Sequence, residues 1–145
     1  MPTNYFKPKP GRYGVQPVVL EFQAGVDPLT ANATVNFILP LPGRCRFARA
    51  TCLQRTLAAD ADGTVLAYVK KMVGGSTSTT LTNALDLEAA SASYTAPFVP
   101  VAGLTEAQRT FAAVDNVYFS VVNNSAAINT QPVGLVFLVE LELVE

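Results

Sequence analysis

The chain has 145 residues, half of them hydrophobic and only 14% charged, with a formal net charge of −1. That length suits one ordinary domain with a full core, and the charge balance excludes a strongly basic nucleic-acid binder. Histidine is absent, which excludes Ser/His/Asp and Cys/His catalytic arrangements.

The first segment, MPTNYFKPKPGRYGVQP (1–17), reads as an extended arm. Pro2, Pro8, Pro10 and Pro17 each fix φ, remove a backbone donor and push the preceding residue toward extended conformations. Between them stand Tyr5, Phe6 and Tyr13 with Lys7, Lys9 and Arg12. A solvated tail has no use for the aromatics, and a buried strand would not tolerate the prolines. This mixture suits a segment that lies on another protein surface, so these six residues are the candidate partner-binding set. The prolines reduce the conformational entropy lost on docking. A core satellite formed by folding back onto the same domain is the alternative.

From residue 18 onward the signals are mostly β. VVLEFQ (18–23) is short, branched and aromatic, and ATVNFILP (33–40) alternates, with Val35, Phe37 and Leu39 on one face. CRFARATCLQR (45–55) reads as a strand of mixed faces that a β-bulge would repair. ADADG (59–63) reads as a turn, with Asp62-Gly63 a hairpin-type signal. TVLAYVKKM (64–72) is a strand and GGSTST (74–79) a flexible loop. LTNALDLEAAS (81–91) reads as a short strand followed by a helical turn. LTEAQRTF (104–111) predicts a helix of about two turns with Thr105 as N-cap. NVYFSVVNN (116–124) returns to β. PVGLVFLVELELVE (132–145) is a long closing strand, apolar on both faces over 133–139 and therefore expected to be covered on both sides there. Short strands with turn signals between them predict an all-β fold: a β-sandwich, specifically a jelly roll, over 18–145, with one short helix and the arm at 1–17.

Few candidates for chemistry emerge. Asp60 and Asp62 read as a solvated turn, and no EF-hand pattern continues from them. Gly74-Gly75-Ser76-Thr77 lacks the spacing of a phosphate loop. Cys45 and Cys52 lie too far apart on one extended strand for a disulfide, so both read as free, buried thiols, consistent with synthesis in the cytosol. No catalytic residue, cofactor, metal site or membrane span is expected, and the N-terminus shows no apolar signal core. Lys70 and Lys71 are strand neighbours facing opposite ways, one expected at the sheet edge. Arg44 and Arg46 share a strand face and are candidate partners for Glu140 and Glu142 on a neighbouring strand or subunit.

Charge is distributed unevenly. Residues 1–71 hold nine of the ten basic side chains against four acids, and residues 72–145 hold only Arg109 against seven acids. Few charges for the size, and opposite signs in the two halves, favour an oligomer or a docked subunit.

The stretch DGTVLAYVKKMVGGSTSTTLTNALDLEAAS (62–91) resembles small structural proteins of tailed bacteriophages. In those a "DGTV-x-A-x-VKK" strand leads through a polar loop to an "LT-x-x-LDL" segment. VDNVYFSVVNNS (114–125) and the apolar closing strand are similar to that group as well, which extends the resemblance over roughly 45–145; Asn116 departs from a more acidic turn. The resemblance implies a capsid decoration (cement) protein: a jelly-roll subunit, usually a homotrimer, on the outer capsid surface of the virion, with the major capsid protein as partner and no enzymatic activity. Two readings from other classes stand beside it. One is a carbohydrate- or receptor-binding β-sandwich of a head fibre or spike, against which the absence of Trp counts. The other is a carboxylate-only hydrolase using Asp60, Asp62 or Glu88.

Overall fold

The structure, a computed structural model, describes residues 16–22, 32–41, 43–55, 59–60, 63–88, 95–124, 128–130 and 135–144. Its elements in chain order are β1 (Gln16–Phe22), β2 (Thr34–Pro40), β3 (Cys45–Leu53), β4 (Ala59–Asp60), β5 (Val65–Val73), β6 (Thr77–Thr80), β7 (Leu85–Asp86), β8 (Thr95–Pro97), α1 (Glu106–Arg109), β9 (Thr110–Phe111), β10 (Asn116–Asn123), β11 (Ile128–Thr130) and β12 (Leu135–Leu143).

Two antiparallel sheets form the sandwich. One runs β1-β12-β3-β8, with β9 sharing the β3 edge; the other runs β2-β10-β5-β6, with β7 sharing the β5 edge. Between the two main sheets the chain changes sheet at each connection, except where β5, β6 and β7 stay together and where β8 and β9 do. This is the connection order of a jelly roll, so the all-β sandwich expected from the sequence is the fold. The hairpin reading at Asp62-Gly63 is corrected. β3 and β5 lie in different sheets, and Ala59–Asp60 instead pairs with Ile128–Thr130 in a small third sheet. β4 and β5 are thus in different sheets as well, and a hairpin needs its two strands side by side.

Residues 74–79 also depart from expectation. Gly74 (φ 56°) and Gly75 (φ 78°) take the left-handed conformations of a tight turn, Ser76 N donates to Val73 O at 3.2 Å, and Thr77–Thr80 pairs with Lys70–Val73. The polarity of the threonines suggests a loop, but their β-branched side chains make them good strand formers. α1 is a single turn rather than about two. Its N-cap is Thr105, with the Thr105–Gln108 capping box complete, but Thr110 is already extended and Phe111, fully buried, pairs with Cys45. Burying that ring against the core outweighs continuing a helix too short to be stable alone.

The core lies between the sheets. Phe119 of β10 and Phe137 of β12, each on a central strand, stack with centroids 4.6 Å apart at 15°, and Phe98 sits 6.2 Å from Phe137. Val65, Ala67 and Val69 from β5 and Cys45, Phe47, Ala50 and Cys52 from β3 close around them. The bulge expected in β3 is present. Glu140 pairs with Arg49 and Leu141 with Phe47, so Ala48 is the extra residue and both Phe47 and Ala50 face inward. On β12, Leu135, Phe137 and Val139 are buried, but Val136 and Leu138 are only half-buried, so the outer face there is not fully covered as expected. Gln16 and Pro17, assigned to the arm from sequence, belong to β1, an edge strand, where proline is tolerated.

Candidate functional site

The six arm residues Tyr5, Phe6, Lys7, Lys9, Arg12 and Tyr13 lie outside the described residues. The first described strand begins at Gln16, paired with Leu141, at the end of the sandwich that also carries Cys45, α1 and Arg44.

The candidate charge pairs divide. The bulge at Ala48 keeps Arg46 and Arg49 together on the outer face of the β1-β12-β3-β8 sheet. Arg46 Nε lies 3.2 Å from Glu142 Oε2, an ion contact without hydrogen-bond alignment, and its Nη1 donates to Glu106 Oε1 at 3.2 Å. Glu140 is held by Arg49, through Nε and, at 2.8 Å, through Nη2. The Glu140 hydrogen bonds, and then its charge, raise the Arg49 pKa above its ordinary value. Arg46 and Glu142 therefore meet between neighbouring strands of one chain. Arg44 reaches neither Glu140 nor Glu142. It precedes β3, is exposed, and lines an open hollow of about 600 Å³ with Lys71, Glu106, Thr110 and Asp115.

That hollow contains the residue that sequence reasoning missed. Lys71 points into the sandwich and is only 8% exposed. Its Nζ donates to Thr110 O at 2.5 Å and Ala107 O at 3.0 Å, lies 3.6 Å from Asp115 Oδ2, and sits 5.7 Å from the Phe111 ring centre. Asp115 in turn accepts from Ala112 N at 2.8 Å. A lysine of one sheet thus holds the α1–β9 segment against the other, satisfied by carbonyls and compensated by a buried carboxylate. The signal was available: Val65, Ala67, Val69 and Lys71 share one strand face. Leu66, Tyr68 and Met72 are equally apolar on the other face, which hid the phase.

Lys70 lies on the outer face, 5.4 Å from the Tyr68 ring centre and 5.9 Å from that of Tyr118. Among the described residues no group of three His, Cys, Asp or Glu side chains is placed to hold a metal ion, and no helix is long and apolar enough to cross a membrane.

No family model, no curated protein and no solved structure matches this chain. The site is therefore argued from its own residues.

Cys45 and Cys52 are free and buried on β3. Burial raises both thiol pKa values, that of Cys52 from 9.0 to about 12. A group that keeps its proton in the folded chain but loses it near pH 9 when unfolded adds stability below pH 9, and that stability is lost as pH rises from 9 to 12. At neutral pH an aromatic disulfide reagent is expected to label neither thiol of the folded chain and both in denaturant; rapid labelling of the native chain would contradict this burial.

Proposed function

We propose that this chain is a non-enzymatic structural subunit of a tailed-phage virion. It binds the outer surface of the capsid as a homotrimer and holds neighbouring capsomers together. One observation carries the reading: the jelly-roll body of a sparsely charged chain follows directly on a proline-, aromatic- and cation-rich segment that joins its edge strand at Gln16. Such a subunit needs a stable body, an apolar subunit contact and an extended segment that crosses a boundary, and it needs no proton-transfer group. Several weak contacts made by one oligomer raise one another's effective concentration, which lets the assembly resist outward pressure from a packaged genome. The aromatics of the arm would fill pockets and its cations would meet acidic loops of the major capsid protein.

The carbohydrate-binding alternative draws less support. Tyr118 is only 6% exposed and Tyr68 half-buried, and Lys70 stands over both rings, which leaves little free ring face to stack a sugar.

The experiment is co-sedimentation with capsids stripped of this chain. Deleting residues 1–15, which precede β1, is expected to leave cooperative unfolding intact and to abolish capsid binding. Undiminished binding by the truncated chain would remove the arm from the mechanism. Failure of the full chain to bind would overturn the capsid reading itself.

A further inference from the structure

One end of the sandwich is incomplete among the described residues. β12 runs past the start of β1. Gln16 pairs with Leu141, whereas Glu142 and Leu143 pair with β3 and Val144 N donates to Arg44 O at 3.1 Å, with no described strand on their other side. Leu143 is 38% exposed there. Arg44, tied to Val144 in this way, also lines the hollow of about 600 Å³. That volume lies within the roughly 300–1,000 Å³ usual for a binding pocket. Ala107, Ala112 and Ala113 give the hollow apolar wall, and Arg44 enters none of the ion pairs among the described residues. The wall is already formed: Asp115 N donates to Ala112 O at 3.0 Å, and Ala112 N to Asp115 Oδ2 at 2.8 Å. A site held in this way needs little reorganisation to be filled.

The segment that precedes Gln16 starts from this end. Continuing the β1–β12 register sets Tyr13 opposite Val144, in one row with Arg44. Arg44 is then two strands away, about 10 Å between backbones, a gap that a tyrosine and an arginine side chain can close together. Phe6 and Tyr5 lie at least another ~23 Å out along an extended chain, so Tyr13 is the aromatic of the arm within direct reach of the hollow. Gly11 and Gly14 flank Arg12 and Tyr13 and free the backbone to leave the strand line there. The charges also match. Arg46 is shared between Glu106 and Glu142, and Glu106, 67% exposed on the rim of the hollow, leaves room for a second cation.

We propose that the root of the arm, residues 12–15, follows the free edge of β12 and seats Tyr13 in the hollow of its own chain, the ring over the Arg44 guanidinium and against Ala112 and Ala113, with Arg12 meeting Glu106. A cation over a tyrosine face is attractive in this arrangement. Docking within one chain closes only a short loop, whereas the arm of another copy would bear the entropy cost of association as well. The contact fixes the point and direction from which residues 1–10 leave the body. It stands on the body alone, and it leaves Tyr5, Phe6, Lys7 and Lys9 free for the capsid contact of the proposed function.

The test is an NOE between the Tyr13 ring and the Ala112 or Ala113 methyls in the full chain, read in a mixture of labelled and unlabelled copies so that contacts within a chain are told from contacts between chains. A contact within the chain is expected. Tyr13→Ala should raise the unfolding equilibrium constant by about 10-fold, for partial burial of one ring. Tyr5→Ala, or deletion of residues 1–10, should leave it unchanged. Arg44→Ala should cost less when Tyr13 is already alanine, with about 2–5-fold of the loss shared between the two. An absent NOE, or one found only between copies, overturns the inference. So does stability indifferent to Tyr13→Ala, or effects at Tyr13 and Arg44 that multiply in full. Capsid co-sedimentation separates this from the functional reading: a chain that binds capsids without the Tyr13 contact overturns only the contact, and a chain that makes the contact but ignores capsids overturns only the capsid role.

Discussion

Replacing Lys71 with methionine will lower the unfolding free energy by about 3–5 kcal/mol, the cost of removing one partner from a buried ion pair. The stem is replaced by a side chain of similar length, so the loss is electrostatic. It strands the Asp115 carboxylate, 5% exposed, and leaves the carbonyls of Ala107 and Thr110 without their donor. For a domain whose total stability is of order 5–15 kcal/mol, that approaches unfolding. Lys71→Met with Asp115→Asn should be more stable than Lys71→Met alone, since no buried charge remains and the asparagine carbonyl can still accept from Ala112 N. Chemical denaturation at one fixed protein concentration, to keep self-association constant, measures both. A Lys71→Met loss below about 1 kcal/mol, the range of an exposed pair, would show that the ammonium is solvated in the hollow and does not hold α1.

Phe137→Ala is expected to cost about 3–5 kcal/mol, the range for deleting a buried ring and leaving a cavity. Phe137 is fully buried on a central strand and stacks on Phe119 of the opposing sheet, with Phe98 beside it. The cavity would open between the sheets, where backbone on both sides is fixed by hydrogen-bonded neighbours and collapse is difficult. Phe137→Leu, which refills much of the volume, should lose less, and both should keep the wild-type denaturant slope. A smaller loss for the alanine variant than for the leucine variant would mean that the sheets close over the gap.

The strands were legible because alternation and turn residues bound them. Val35 and Phe37 fall on one face as the pattern requires, and the broken alternation around Ala48 announced its bulge. Less legible were the features that depend on what lies opposite. Nothing local to Asp62-Gly63 distinguishes a hairpin from a crossover, because that depends on which strands pair far along the chain. Short strands such as β4, β9 and β11, of two or three residues, exist through pairing alone. For the candidate site, the sequence set Arg44 and Arg46 against Glu140 and Glu142 on a neighbouring strand or subunit; it did not show that Arg46 would meet Glu142 within the chain, or that Arg49, displaced by the bulge, would take Glu140. The burial of Lys71 was not legible because a lysine beside a lysine reads as surface, and its partners Ala107 and Thr110 offer only backbone carbonyls, which no sequence pattern displays.

The shared edges of the two sheets bear on how the body meets other chains. On one side of the sandwich, β8 and β9 divide the flank of β3, and β6 and β7 divide that of β5, so the outermost described strands there run only two to four residues. A stray extended chain finds few consecutive free donors and acceptors along those flanks, and fibrous growth needs such a run on both sides. The opposite side ends in the seven-residue strands β1 and β2, each containing a proline, Pro17 and Pro40. A body bordered in this way can be crowded side by side at great density and still meet its neighbours through side chains rather than through its backbone.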